Sequence, residues 1–214
     1  MLFLNGDLKI VFKIVILGNS GVGKTNILNC LNGKEYKKDE KLKSTIGIDF
    51  LKKETEINKE IITAQLWDTC GEERYRSLMG AYLKNTNGAF IVYDITNEES
   101  FNSVDTWIYI LKNNSDPIII ILGNKCDSSD RKINEEKGFE KAKQYNAFFF
   151  ETSCINKHNL DKAFNYMTGE LYKRYKENLN KEEEDEIEFS NICLGNNKIK
   201  SKEDICCLFF NDAL

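Results

Sequence analysis

The sequence predicts an α/β protein with a six-stranded, mostly parallel sheet flanked by five helices. Apolar runs bounded by turn residues alternate with amphipathic stretches, which is the pattern of repeated βα units. The apolar runs are nearly continuous in Ile, Val and Phe, as expected of strands that helices cover on both faces. The strands are predicted at residues 10–17, 48–57, 61–67, 89–95, 117–123 and 147–151.

The segments between these strands predict the helices and the one antiparallel pair. Segment 48–57 alternates polar and apolar residues and meets the next strand through Asn58-Lys59, which favours a hairpin at the sheet edge. Polar Thr96 and Asn97 followed by two acidic residues form a good helix N-terminus. Helices are predicted at residues 24–31, 73–83, 99–113, 134–145 and 159–175.

The 214 residues suit one domain with a tail. We expect a short N-terminal extension at 1–9, a compact domain at 10–175 and a flexible acidic tail at 176–214. The tail is set apart because its run of acidic residues at 182–188 cannot bury enough apolar surface to fold alone.

Composition excludes several classes of protein. A formal net charge of -4 without a basic face argues against nucleic-acid binding. Seven cysteines, an odd number with no CxxC spacing, indicate reduced cytosolic thiols rather than disulfides or a zinc site. The longest apolar run, 118–122, is far shorter than the ~20 residues of a membrane-spanning helix. Membrane contact would therefore come from the tail.

Residues 18–25, GNSGVGKT, match the phosphate-binding motif GxxxxGK[ST] between a predicted strand and a predicted helix. The glycines permit a tight turn whose main-chain N–H groups surround phosphates. The strand–helix context and the Lys24-Thr25 pair distinguish the motif from a chance glycine-rich turn. Lys24 would reach the β- and γ-phosphates, and the Thr25 hydroxyl would ligate Mg²⁺. Nucleotide contacts are predicted at Asn19, Ser20, Gly21, Val22, Gly23, Lys24, Thr25 and Asn26.

Two later segments resemble the guanine-recognition motifs of GTPases. Asn124-Lys125-Cys126-Asp127 is similar to the NKxD motif, and residues 151–154, ETSC, resemble the ETSA segment. The Asp127 carboxylate can accept two hydrogen bonds from guanine, whereas adenine would leave it unpaired. The resemblance implies base contacts by Asn124, Lys125, Asp127, Ser153 and Cys154.

Residues 68–71, DTCG, resemble the DxxG element that senses the γ-phosphate. The resemblance implies that Asp68 holds Mg²⁺ through a water and that Thr45 ligates it only in the triphosphate state, with Thr25 as the third metal residue. Tyr36 matches an aromatic residue that packs on guanine, or is a structural loop tyrosine. The implied catalytic residues are Lys24, Thr45, Gly71 and Glu72.

Segments 46–50, 64–69 and 74–78 resemble the Rab branch of small GTPases. Residues 20–28, 43–46 and 74–76 are most similar to its recycling-endosome (Rab-eleven) subgroup. Phe50, Trp67 and Tyr82 match the aromatic triad that faces effectors, although a purely core role is the alternative. The resemblance implies exchange factors, activating proteins and a GDP-dissociation inhibitor as partners. It also implies a cytoplasmic protein, peripheral on endomembranes of the recycling endosome, Golgi or related vesicles.

Four features of the sequence depart from the Rab pattern. Glu72 replaces the glutamine that usually lies beside the attacking water. An ionised carboxylate cannot donate a hydrogen bond to the γ-phosphate, and it adds negative charge beside it. We therefore expect slow GTP hydrolysis, unless Glu72 acts as a general base. Segment 37–43 is about two residues longer than in related Rabs, and Cys70 replaces alanine. Cys206 and Cys207 resemble the geranylgeranylated pair, yet seven residues follow them, so unmodified cysteines are the alternative.

The sequence therefore favours a GTP-hydrolysing switch in vesicle traffic. A nucleotide-dependent scaffold with little turnover is the main alternative, and it differs in kcat rather than in fold. A small-molecule kinase is disfavoured by the guanine motif and by the absence of an arginine-rich lid segment.

Overall fold

The computed structural model describes residues 3–4, 7–36, 48–69, 80 and 82–194. Thr45, Gly71, Glu72, Cys206 and Cys207 lie outside these residues, as does nearly all of the helix predicted at 73–83. The strands are β1 (Phe3–Leu4), β2 (Asp7–Leu8), β3 (Ile10–Leu17), β4 (Ile48–Ile57), β5 (Glu60–Thr69), β6 (Gly88–Asp94), β7 (Ile118–Asn124) and β8 (Phe148–Thr152). The helices are α1 (Lys24–Leu31), α2 (Glu98–Asn102), α3 (Val104–Lys112), α4 (Glu135–Gln144) and α5 (Leu160–Leu194).

The central sheet has six strands in the order β4-β5-β3-β6-β7-β8, which confirms the predicted architecture. Every neighbouring pair is parallel except β4 and β5. Crossover connections thus place the carboxyl ends of β3, β5, β6, β7 and β8 at one edge, where ligands of open α/β sheets bind.

The antiparallel pair β4–β5 turns at the predicted Asn58-Lys59. Both residues have positive φ, 53° and 68°, as a two-residue hairpin turn matching the strand twist requires. Asparagine tolerates this conformation better than most residues.

The core lies on both faces of β6, whose seven residues are all buried. Strands covered on both faces lose their alternation of polar and apolar side chains, which explains the continuous apolar runs of the sequence. The cluster on one face joins β3, β6 and β7 to α3 and α4; its buried members include Val15, Ile91, Tyr93, Trp107, Ile108, Leu111 and Ile121.

Three elements differ from the sequence prediction. Segment 99–113 forms two helices that meet at Ser103 rather than one. The last helix continues to Leu194, beyond its predicted end at 175. Residues 3–4 and 7–8 of the predicted N-terminal extension pair as a short antiparallel hairpin.

The chain divides into two compact units, residues 1–172 and 173–214. Whether the second unit is a flexible tail, as the sequence predicts, stays a prediction. None of the helices in the described part of the chain is long and apolar enough to cross a membrane.

Candidate nucleotide-binding site

The phosphate-binding motif forms the turn between β3 and α1. Gly23 precedes the helix with φ 103°, a left-handed conformation that L side chains rarely adopt. A Cβ at this position would also overlap the Asn124 side-chain amide. The first N–H groups of α1 have no partner within the helix, so this turn and helix terminus suit an anion such as phosphate.

Lys24 is buried, with 6% of its surface exposed, although it carries a charge. Its Nζ donates hydrogen bonds to the carbonyl oxygens of Gly18 and Asn19, at 2.8 and 2.9 Å. These two bonds hold the ammonium group over the turn. The turn therefore combines main-chain N–H groups with an oriented cation, which is the arrangement expected for binding a polyphosphate.

Thr25 and Asp68 meet beside this turn. The Thr25 hydroxyl donates to Asp68 Oδ2 at 2.6 Å, and Asp68 is fully buried at the end of β5. Asp68 reaches this position because β5 runs parallel to β3, with Asp68 opposite Ile16. A hydroxyl and a carboxylate are hard oxygen donors, which is the chemistry that Mg²⁺ prefers. These two residues fit the metal role predicted for them.

Asn19 is fixed by two residues that the sequence analysis missed. Its Nδ2 donates to Ser103 Oγ at 3.0 Å, and Trp107 Nε1 donates to its Oδ1 at 2.8 Å. Ser103 lies between α2 and α3, and Trp107 lies on α3. No motif indicates this contact, because the partners are 84 and 88 residues apart in sequence.

Asn124 joins the predicted base-binding turn to the phosphate loop. It ends β7 opposite Thr152 of β8 and is 2% exposed. Its Nδ2 donates to the Val22 carbonyl oxygen at 2.8 Å, and its Oδ1 accepts from Thr152 Oγ1 at 3.2 Å. One buried amide therefore couples the loop after β3 to the ends of β7 and β8.

Asp127 and Ser153 lie together, as the sequence predicts for two residues near the base. The Ser153 hydroxyl donates to Asp127 Oδ1 and accepts from the Ile155 N–H at 3.1 Å. Ser153 is fully buried, and the hydrogen bond from its hydroxyl holds one oxygen of the Asp127 carboxylate in place. The main chain adds a further link, because the Cys126 N–H donates to the Thr152 carbonyl at 3.1 Å.

Lys125 adopts a left-handed main-chain conformation, with φ 68°. Its Nζ pairs with Asp94 Oδ2 at 2.5 Å, at the end of β6. The other oxygen of Asp94 accepts from the N–H and the hydroxyl of Thr96, at 2.9 and 2.7 Å. No sequence motif indicates Asp94.

Among the described residues, Cys30, Cys126 and Cys154 are free thiols. Cys154 is 5% exposed, and Cys30 Sγ donates to its carbonyl oxygen at 3.6 Å. Burial raises the pKa of both thiols above the ordinary value. Since the thiolate is the reactive form, these side chains contribute packing rather than nucleophilic chemistry at neutral pH.

The predicted aromatic triad lies on β4, β5 and the segment before β6. The rings of Phe50 and Trp67 meet edge to face with centroids 5.0 Å apart. Phe50 and Tyr82 are 40% and 41% exposed, which disagrees with a purely core role. Lys13 Nζ lies 5.4 Å from the Trp67 ring centroid and donates to the carbonyls of Tyr82 and Lys84, so it connects these elements. Burial lowers the pKa of Lys13.

Other predicted site residues have simpler placements. Asn26 lies in the first turn of α1, and Tyr36 follows that helix; both are half-buried. Thr45, Gly71 and Glu72 belong to the segments outside the described residues, so their predicted roles stay predictions.

Comparison with known proteins agrees with this geometry. The Ras family model matches residues 13–173. Ras-related protein RABA2c of Arabidopsis thaliana is 41% identical over 165 residues, which cover 76% of this chain and 75% of the relative. Ras-related protein Rab11B of Nicotiana tabacum is 38% identical over 170 residues, covering 78% and 77%. Ras-related protein Rab11A of Lotus japonicus is 39% identical over 171 residues, covering 78% and 75%.

The family model covers the phosphate-binding motif, Asp68, the turn that carries Asp127 and residues 151–154. The relatives also confirm the subgroup that the sequence indicated, because Rab11 and RABA proteins are among them. The chain therefore belongs to the Ras family of small GTPases and, within it, resembles the Rab proteins of the Rab11 type.

Proposed function

We propose that this protein is a Rab-like molecular switch that binds Mg·GTP and GDP and recruits effectors in intracellular vesicle traffic. Small GTPases of the Ras family bind guanine nucleotide with Mg²⁺ and hydrolyse GTP. The observation that carries the proposal is the hydrogen bond from Asn124 to the Val22 carbonyl. It supports a single site in which the phosphate loop and the base turn act on one ligand.

The phosphates would lie against the main chain of residues 19–26, with Lys24 contributing the positive charge. Its two bonds to carbonyl oxygens restrain its side chain. Less side-chain entropy is then lost on binding, which supports a high affinity for a di- or triphosphate.

Mg²⁺ would be held by the Thr25 hydroxyl, with Asp68 acting through a water and Thr45 joining in the triphosphate state. The metal, when bound, neutralises charge on the phosphate oxygens. The protein contributes a buried carboxylate that orients the Thr25 hydroxyl by accepting a hydrogen bond from it. This second residue supports a defined geometry at the metal, since such partners fix the groups that they bond.

The base would be read by Asp127, with Asn124, Lys125, Ser153 and Cys154 around it. A carboxylate fixed by the Ser153 hydroxyl can accept from the guanine N1–H and 2-amino groups. Adenine has no matching pair of donors, so its binding would leave the carboxylate without partners. The Tyr36 ring would pack against the guanine ring.

Hydrolysis is proposed to be slow because Glu72 stands where the Rab pattern has glutamine. A glutamine accepts from the attacking water and donates to a phosphate oxygen at once, and an ionised glutamate only accepts. Gly71 would sense the γ-phosphate through its N–H. The second candidate, a scaffold that binds GTP with little turnover, rests on the same substitution and differs only in kcat.

Nucleotide competition tests the binding proposal. GTP and GDP should displace a fluorescent GDP analogue, while ATP and ADP should not at a hundredfold excess. Equal displacement by ADP would refute the guanine assignment. Omitting Mg²⁺ should accelerate GDP release from the same preparation.

The membrane proposal concerns the tail. Prenylation of Cys206 and Cys207 would provide two lipid chains, which anchor stably where one is marginal. Effectors would contact Phe50, Trp67 and Tyr82. Exchange factors, activating proteins and a GDP-dissociation inhibitor would control the cycle of GTP binding, hydrolysis and GDP release. We place this cycle on the recycling endosome, the Golgi or related vesicles. Intact mass of the protein from a eukaryotic host tests this, because two unmodified cysteines would exclude the anchor.

A further inference from the structure

The turn that carries Asp127 contains an unusual main-chain conformation at Lys125. A φ of 68° is rare for residues other than glycine, asparagine and aspartate. Such a conformation persists only where surrounding contacts hold it. The contact that the Lys125 side chain makes is therefore relevant to the geometry of the whole turn.

Asp94 supplies that contact from the neighbouring strand. Asp94 is 7% exposed, and its Oδ2 pairs with Lys125 Nζ. Its Oδ1 accepts two hydrogen bonds from Thr96, one from the N–H and one from the hydroxyl. Both oxygens of the carboxylate are thus fixed, so Asp94 is an oriented acceptor rather than a freely rotating surface charge.

The main chain places Asp94 at the level of the turn. In the β6–β7 pairing Asp94 lies opposite Asn124, and the Ile95 N–H donates to the Asn124 carbonyl at 3.0 Å. Asp94 therefore cannot move away from the start of the turn without breaking the end of the sheet. Ser153 holds the other end of the turn through Asp127.

We propose that Asp94 is a positioning residue for guanine recognition, which holds the Lys125 side chain and thereby keeps the turn in the conformation that directs Asp127 at the base. The inference rests on the proposed function and adds to it a residue outside the recognition motif. Asp94 acts through Lys125 and makes no contact with the nucleotide itself.

The first test compares Asp94→Asn with Asp105→Asn. Asp105 of α3 is a matched control, since it also pairs with a lysine, Lys141, at 2.8 Å and lies outside the site. Affinities are measured for GDP and for inosine diphosphate, which lacks the 2-amino group that Asp127 would accept from. We expect Asp94→Asn to weaken GDP binding about tenfold or more and to reduce the preference for GDP over inosine diphosphate. Asp105→Asn should change neither.

A merely structural role would weaken both nucleotides by the same factor, and an unchanged ratio of the two affinities would overturn the proposal. Should Asp94→Asn fail to fold, Thr96→Val takes its place. This variant keeps the Asp94 charge but removes one of the bonds that orient it, so a smaller fall in the same ratio is expected. An unchanged ratio in Thr96→Val would equally overturn the proposal.

The second test asks whether Asp94 acts through Lys125. GDP dissociation is measured for Asp94→Asn, Lys125→Gln and the double variant. If the two residues form one unit, Asp94→Asn accelerates dissociation in the wild-type background and adds nothing in the Lys125→Gln background. Multiplicative effects in the double variant would contradict the proposal. A wild-type protein that binds ADP as well as GDP would instead refute the proposed function, so the two failures are distinguishable.

Discussion

The side-chain amide of Asn124 donates a hydrogen bond to the main-chain carbonyl oxygen of Val22 at 2.8 Å. Asn124 is the last residue of β7, the fifth strand of the sheet order, and Val22 belongs to the loop after β3, the third. The bond is buried and spans 102 residues of sequence. It makes the phosphate loop and the base turn parts of one structure.

Asn124→Ala should loosen that structure. The change leaves the buried Val22 carbonyl without this donor and removes the acceptor of the Thr152 hydroxyl. Loss of a buried hydrogen-bond partner costs about 1–3 kcal/mol, so we expect GDP to dissociate roughly ten to a hundred times faster. Release of a fluorescent GDP analogue measures this.

Asn114→Ala is the matched control, because its amide also donates to a carbonyl, that of Ile110, at 2.8 Å but close to the end of α3. It should leave GDP dissociation unchanged. Equal acceleration by both variants would mean that Asn124 affects overall stability rather than the site.

Thr25→Val should weaken the dependence of nucleotide release on Mg²⁺. Valine keeps the side-chain shape and removes the hydroxyl that bonds Asp68, so a metal loses an oxygen donor. We expect the Mg²⁺ concentration needed to halve the rate of GDP release to rise about tenfold or more. A Mg²⁺ titration of the release rate measures it, with Thr168→Val as control, since the Thr168 hydroxyl bonds only within α5 in the contacts described. An unaltered titration would exclude Thr25 as a metal ligand.

Glu72→Gln should accelerate intrinsic hydrolysis. The substitution restores a donor to the phosphate and removes a negative charge beside it, and we expect a gain of about tenfold or more. A single-turnover assay with bound GTP measures the rate. The neighbouring Glu73→Gln removes the same charge one residue away and should have little effect. If Glu72→Gln hydrolyses GTP no faster than the wild-type protein, the Glu72 side chain is not the cause of slow turnover.

Gly138→Ala and Gly169→Ala should change stability in opposite directions. Both glycines lie in helices, where alanine is favoured by roughly 1 kcal/mol. A Cβ at Gly138 of α4 would lie 2.5 Å from Phe149 Cζ and from the Tyr93 hydroxyl, whereas one at Gly169 of α5 would meet nothing within 4 Å.

We therefore expect Gly138→Ala to lower the free energy of unfolding by about 1–3 kcal/mol and Gly169→Ala to raise it by about 0.5–1 kcal/mol. Urea unfolding at one fixed GDP concentration measures both, because bound ligand adds to apparent stability. Stabilisation by both variants would show that α4 can shift away from β8.

The sequence predicts the elements best where a motif and an apolar run meet. The bounds of β3 and α1 agree with the prediction to the residue, because the apolar run stops at Gly18 and the lysine of the phosphate motif begins the helix. The turn at Asn58-Lys59 was also predictable, because Asn58 tolerates a positive φ and the pair separates the alternating segment 48–57 from the next apolar run. The positive φ of Lys59 was not predictable, since lysine rarely adopts it.

The differences between the predicted and observed helices arise from side-chain contacts and helix propensities, which the spacing of apolar residues does not report. The Ser103 hydroxyl bonds back to the Glu99 carbonyl at 2.8 Å and accepts from Asn19, and the helix is interrupted at this residue. The acidic run after residue 181 was expected to be tail because it is charged, yet glutamate and lysine are also strong helix formers, and α5 continues to Leu194.

Most of the candidate site could be predicted because its residues belong to short motifs with known spacing. Asp94, Ser103 and Trp107 could not, since each acts by holding a motif residue from a distant part of the chain. A positioning residue needs only to reach its partner, so many residue types and sequence separations would serve.

The β7–β8 register places Asn124 opposite Thr152, and it limits the insertions and deletions that the protein can tolerate. A length change in the loops before β8 leaves that pairing intact and should be tolerated. One inserted or deleted residue within Phe148–Thr152 would shift the strand by about 3.3 Å and invert the faces of its side chains. A one-residue change in the length of this strand is therefore expected to abolish guanine recognition, because Thr152 would no longer lie opposite Asn124.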